Sequence, residues 1–288
     1  MPYGTPAALR SALEARLVNE SIDRGLALDR LRKRAVFERI LARLNVAEPG
    51  HWIVKGGMAL ELRTNSGARS TKDLDLATRS EIHDGDELRD TLLDILGRDP
   101  EGDGFSFLVA PPASIGPDQA GRPGWRCAVE ARLDGRTFER VRLDIVLRPE
   151  EIAATERLPV PNSLAFAGYP SHDAEVVAPS QQFAEKLHAL TRAYGRENTR
   201  THDLADLVFI IEQGWVTPGP VVEAARVVFA ARATHEMPIA IVDPPTFWGP
   251  QYAELGAEMA LEAATLESAM ALVRAFWADV VALEGENQ

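Results

Sequence analysis

Lys55-Gly56-Gly57-Met58-Ala59-Leu60 and, nine residues on, Arg69-Ser70-Thr71-Lys72-Asp73-Leu74-Asp75-Leu76 carry the pattern that decides the fold. Trp52-Ile53-Val54 just upstream reads as a short apolar strand, so Gly56-Gly57 stands where a strand turns into a brief helix, Met58 to Arg63. Asn65-Ser66-Gly67 reads as a loop and Asp73 to Ala77 as a second strand. The period of two along a strand sends Asp73 and Asp75 to one face and Leu74 and Leu76 to the core. Asp73 follows Gly57 by sixteen residues. Glycines at a strand-to-helix bend let backbone N–H groups come close to an anion, and a helix start adds a favourable field.

Two carboxylates side by side repel, and a divalent cation between them removes the penalty. An oxygen-only donor set suits magnesium, which retains waters and accepts substrate phosphates. Asp144 repeats the arrangement in Val141-Arg142-Leu143-Asp144-Ile145-Val146-Leu147, where it faces away from the apolar residues. Three carboxylates on adjacent strands are the donor set of two-metal phosphoryl transfer. Each element has a plainer reading alone: a D-x-D on a half-exposed strand is often a solvated face, and a Gly-Gly is often a tight turn. Strand, Gly-Gly, helix and then a strand bearing D-x-D is far more specific.

Outward from this stretch, residues 5–46 read as two helices, with Leu9, Leu13, Leu17 and Ile22 as one apolar stripe and Leu31, Val36, Ile40, Leu41 and Leu44 as another. Asp84 to Leu96 reads as a helix and Phe105 to Ala110 as a strand. Cys127 to Leu133 and Phe138 to Leu147 alternate on either side of Asp134-Gly135, the signature of a tight hairpin. Residues 149–180 hold five prolines and read as a surface connector; from Gln181 onward the pattern is helical. Strands followed by helices predict an α+β chain: a mixed-sheet domain with N-terminal helices over 1–170, and a helical domain over 171–288 that completes the active-site cleft.

Composition narrows the class. No apolar run of eighteen residues exists, so no membrane span is expected, and Met1 to Arg10 lacks a secretory pattern. A lone cysteine, Cys127, fits a reducing cytoplasm. The net charge of −12 argues against bulk nucleic-acid binding, yet the stretch through Lys72 carries a surplus of six positive charges and leaves the remainder at −18. That basic start either holds a polyanion locally or forms solvated mixed-charge helices. No H-E-x-x-H and no serine elbow is present, and His188, His202 and His235 lack metal-ligand spacing.

The two quoted segments resemble the AbiEii/AbiGii (MenT-like) toxin family of nucleotidyltransferases, a branch of the polymerase-β superfamily, with Met58 where threonine is usual. Lys186-Leu187-His188-Ala189-Leu190, Arg192, Arg196, Arg200 and Thr201-His202-Asp203-Leu204-Ala205-Asp206-Leu207 are similar to that family's second block, with His202 in place of lysine. The resemblance spans roughly residues 36–211. It implies a polymerase-β-type core and magnesium-dependent transfer of a nucleotide from a nucleoside triphosphate to a hydroxyl, the tRNA 3′ end or else a protein or small molecule. It also implies a cognate antitoxin. Asp73, Asp75 and Asp144 would hold the metal, and Lys55, Gly56, Gly57, Arg69, Thr71, Lys186 and Arg200 would meet the nucleotide. Lys186 either serves the triphosphate or snorkels from an amphipathic helix, and Asp203 either joins the site or caps the next helix. A chain that had lost catalysis would serve as a partner subunit; intact Asp73, Asp75 and Lys186 argue against that.

Overall fold

The computed structural model describes residues 3–64, 71–115, 124–147, 152, 154–194, 198 and 200–286. The chain divides into two compact units. The first comprises Met1–Arg63, Ser70–Pro149 and Glu156–Val176; the second is centred on Val177–Gln288. No helix of the described residues is long and apolar enough to cross a membrane.

The first unit opens with α1 (Pro6–Arg24), started by Thr5, whose hydroxyl accepts from the Ala8 N–H, and stopped by Gly25 in the left-handed region. Leu9, Leu13 and Leu17 form its buried stripe. Ile22 lies outside it, 74% exposed, because five residues beyond Leu17 the helix has turned well away from the buried face. α2 (Leu28–Ala47) is buried almost all round from Ala35 to Leu44, including Glu38, Arg39 and Arg43. After α2 come β1 (Trp52–Val54), α3 (Gly56–Arg63), β2 (Asp73–Thr78), α4 (Gly85–Gly97), β3 (Phe105–Val109) and β4 (Ala113–Ser114). A long hairpin, β5 (Gly124–Leu133) and β6 (Arg136–Leu147), follows, then β7 (Thr155–Pro159) and β8 (Asp173–Val177).

These strands form one mixed eight-stranded sheet in the order β3-β5-β6-β2-β1-β8-β7, with β4 on β5. β2 runs parallel to β6 and β1 parallel to β8; β1 and β2 are antiparallel. The hairpin turns at Asp134 (φ 56) and Gly135 (φ 66), as Asp-Gly dictates. Arg10 of α1 clamps it by donating to the carbonyls of Leu133, Arg136 and Thr137. The proline-rich stretch is no simple connector, since it contains β7 and β8. Two of its prolines fall where regular structure tolerates them: Pro159 ends β7, an edge strand, and Pro179 opens a helix.

The basic surplus of the N-terminal helices is largely turned inward. Arg43 is buried against Asp103 at 2.7 Å, Arg39 meets Glu101 at 2.7 Å, and Arg32 meets Glu14 at 2.6 Å. Arg34 pairs with Glu20 at 2.7 Å, and Arg30 with Glu61 at 3.0 Å. The two readings of that charge, polyanion platform or solvated face, both give way for these residues to ion pairs between elements.

The second unit is helical: α5 (Pro179–Thr191), α6 (Thr201–Glu212), α7 (Pro218–Arg232), α8 (Trp248–Glu258) and α9 (Leu266–Glu286). Trp248 and Trp277 are wholly buried, each indole N–H donating to a backbone carbonyl, of Asn198 and Pro238 respectively.

Candidate active site

β2 and β6 lie side by side in parallel, with Asp75 paired to Asp144 and Asp73 to Arg142. Paired residues of neighbouring strands point to the same face, so the three carboxylates share the face opposite Leu74, Leu76, Leu143 and Ile145, all buried. Residues 69 positions apart in the chain thus converge.

The glycine bend backs directly onto this row. The Lys55 N–H donates to the Asp75 carbonyl at 2.9 Å, tying the end of β1 to β2. Gly56 then takes φ +60, and a Cβ there would lie 1.8 Å from Asp75 Oδ2. Glycine is therefore required twice, by the left-handed backbone and by the carboxylate lying against it. Gly57 and Met58 are buried in the first turn of α3. Thr71 is buried, its hydroxyl donating to the Asp73 carbonyl at 2.9 Å. Arg69 and Arg196 lie outside the described residues.

Two arginines that the sequence reading passed over stand among the carboxylates. Arg126 of β5 donates from Nε and Nη2 to the two oxygens of Asp144 at 2.8 and 2.6 Å. Arg142 does the same to Asp73 at 2.6 and 3.0 Å. The Asp144 hydrogen bond, followed by the charges of Asp144, Asp73 and Asp75, raises the Arg126 pKa above its already high ordinary value. Arg142 was legible, because it lies two residues from Asp144 on one strand and must share its face. Arg126 was less so. A register shift between Ala131 and Arg132 sets two residues of β6 against one of β5, and this brings Arg126 opposite Asp144. Counting back from the turn without it would have set Arg126 against Leu143. Cys127, the neighbour of Arg126, is buried, and burial, with Asp144 nearby, pushes its thiol up to about 11, away from reactivity.

Among the described residues no three His, Cys, Asp or Glu side chains are drawn together as a ready-made metal cage. The donor chemistry nevertheless fits a hard divalent cation: oxygen-only, on one face, with the Gly56 bend leaving room for Asp75.

In the second unit, Lys186 of α5 is buried and bridges two carboxylates of α6, Asp203 Oδ1 at 3.0 Å and Asp206 Oδ2 at 2.6 Å. It does not snorkel. Asp203 is no cap either: α6 begins at Thr201, and Asp203, in its first turn, accepts from Lys186 and from Arg200 at 3.4 Å. The Arg200 guanidinium also lies 5.1 Å from the Tyr194 ring centroid. Asp206, which the sequence reading gave no role, is fully buried and is the nearer partner; its place three residues from Asp203 on one helix face was the available signal. The His188 and His235 rings pack 4.7 Å apart with Thr234 Oγ1 at 2.8 Å from a nitrogen of each, and burial holds His188 down at about 3, so His188 belongs to the helical core and half-buried His235 packs against it.

The sequence model of the nucleotidyl transferase AbiEii toxins, of type IV toxin–antitoxin systems, matches residues 39–282. The chain belongs to the AbiEii family. It is therefore a nucleotidyltransferase, and the match runs beyond the last quoted motif to take in α7, α8 and most of α9. No curated protein sequence matches the AbiEii-family chain. The crystal structure of an antigenic nucleotidyltransferase-like protein from Paracoccidioides brasiliensis aligns with 72% of this chain and 95% of its own, at 18% identity and a TM-score of 0.43. In this AbiEii-family enzyme Met58 is buried in α3 and so serves packing there.

Proposed function

We propose that this AbiEii-family enzyme uses magnesium to transfer a nucleotide from a nucleoside triphosphate to the 3′-terminal hydroxyl of a tRNA. The observation that carries the reading is the in-register pairing of Asp75 with Asp144, with Gly56 pressed against Asp75. Asp73, Asp75 and Asp144 would hold the metal, and the Gly56-Gly57 bend, Lys55 and Arg69 would cradle the phosphates. Bound magnesium supplies charge neutralisation on the triphosphate and its leaving group. The acceptor oxygen attacks the α-phosphorus in line, the bond from that phosphorus to the oxygen bridging to the β-phosphate breaks, and pyrophosphate departs. Asp144 takes the acceptor side, as base for the hydroxyl proton or as metal ligand. The motif resemblance of the second block assigns Lys186, Asp203 and Arg200 to the nucleotide reaction as well. The same resemblance supports tRNA as acceptor and an antitoxin as partner.

One observation favours a second reading, in which the acceptor is a protein or a small cationic molecule: the net charge is −12, and many N-terminal arginines are engaged in internal pairs. One experiment separates them. The protein is incubated with magnesium and each of four labelled triphosphates, against bulk tRNA or total protein, and the labelled fraction is resolved on a gel. Label in tRNA, abolished by Asp75→Ala, is the expected result. Label confined to protein overturns the tRNA acceptor, and undiminished transfer by Asp75→Ala overturns the site.

A further inference from the structure

The two arginines bound to the carboxylate row have no part in the reading above. Their geometry nevertheless ties them to it. Arg126, Asp144 and Asp75 form one cross-strand row over β5, β6 and β2; Arg142 and Asp73 form the next row on the same face. Arg126 and Arg142 offset the charges of Asp144 and Asp73 on this face. Each arginine engages both oxygens of its carboxylate, which are the atoms a divalent ion would take. Each uses two of the five N–H donors of a guanidinium in doing so. The arginine side chains are 43% and 49% exposed, so neither fork is locked in the core.

We infer that Arg126 and Arg142 are exchangeable counter-ions. They hold Asp144 and Asp73 before the divalent ion arrives, then release them and pass their forks to phosphate oxygens of the incoming polyanion. The chemistry favours such an exchange. A divalent ion competes for the carboxylates with two unit charges against one, and a guanidinium displaced from a carboxylate finds in phosphate a partner of the same bidentate geometry. The exchange keeps a divalent ion from binding tightly until a nucleotide is present to receive the arginines, so metal and nucleotide binding become mutually reinforcing. Arg126 and Arg142 are in this sense positioning residues for the substrate phosphates. The inference rests on the metal-site reading of Asp73, Asp75 and Asp144.

The test measures binding, not turnover. Mn²⁺ is titrated into the full chain without nucleotide, with free Mn²⁺ followed by electron paramagnetic resonance. A non-hydrolysable triphosphate is then titrated in the presence of Mg²⁺. Arg126→Ala and Arg142→Ala are expected to tighten Mn²⁺ binding by about fivefold each, the equivalent of about 1 kcal/mol for a half-exposed pair, and to weaken the triphosphate by at least as much. Arg126→Lys retains the charge without the fork; it should leave Mn²⁺ affinity near wild type and still lose part of the triphosphate affinity. A merely structural arginine would not move the two ligands in opposite directions, and variants that weaken both or change neither overturn the inference. Asp75→Asn separates the two layers. If it abolishes Mn²⁺ binding, the metal site stands and the arginine variants judge the exchange alone. If Mn²⁺ binding survives it unchanged, the metal site and the exchange fall together.

Discussion

Gly56→Ala is the sharpest perturbation this fold offers. Two costs are superimposed at that position. Alanine at φ +60 sits in the left-handed region, which costs about 1 kcal/mol. The new methyl would also stand 1.8 Å from Asp75 Oδ2, 2.7 Å from its Cγ and 3.0 Å from its Cβ, so the carboxylate must rotate away or β2 must shift. Forced repacking of this kind costs roughly 1–3 kcal/mol more. On the proposed reading of Asp75 as a metal-holding residue, the functional loss should exceed the stability loss, because a catalytic group misplaced by about 1 Å costs on the order of a hundredfold in rate. Gly25→Ala is the control: its φ is +64, yet nothing lies within 4 Å of the added carbon. Urea denaturation and pyrophosphate release under magnesium, triphosphate and bulk tRNA are measured on both. Gly25→Ala should lose about 1 kcal/mol and keep wild-type release; Gly56→Ala should lose more stability and about a hundredfold in release. Combining Gly56→Ala with Asp75→Ala removes the two shortest contacts, so the double variant should be more stable than the sum of the singles predicts. Wild-type release by Gly56→Ala, with a stability loss no larger than that of Gly25→Ala, would refute the claim that this glycine exists to admit Asp75.

Two further outcomes follow from buried charge. Lys186→Met leaves Asp203 and the fully buried Asp206 without their shared cation, and should lower stability by about 3–5 kcal/mol in denaturant titration, with partial recovery when Asp206→Asn is added; a loss below about 1 kcal/mol would show that the cluster is relaxed by solvent. Glu38 is buried, and loss of hydration pushes its carboxyl up to about 7, although Ser163 donates to it from both N–H and Oγ and Arg34 and Arg39 oppose the shift. The folded state thus holds this proton more tightly than the unfolded one, so its contribution is full below about pH 4.5 and is lost as pH rises toward 7, on the order of 3 kcal/mol in all. Glu38→Gln should flatten the stability–pH curve across that window, and an unchanged slope would show that Glu38 stays ionised.

What the sequence determined by itself is what depends on neighbours along the chain. Strand periodicity placed Asp73 and Asp75 on one face and Asp144 opposite its apolar neighbours; Asp134-Gly135 fixed a hairpin turn; helical spacing found the helices of both units. Prolines misled over 149–180, because composition cannot tell a loop from strands such as β7, whose proline sits at its end, and β8, whose prolines lie outside it. Tertiary structure alone decided how distant strands line up. Nothing local says that β2 and β6 run parallel with Asp75 beside Asp144, or that one shifted residue in the hairpin brings Arg126 to the carboxylates. Register between strands is set by which apolar faces bury together, and one residue of slip turns every side chain over. The partners of the charged residues follow the same logic. Arg39 and Arg43 read in the sequence as part of a basic start, polyanion-binding or solvated, and Lys186 as a triphosphate or snorkelling lysine; each found its carboxylate on a distant segment once packing had excluded the water around it.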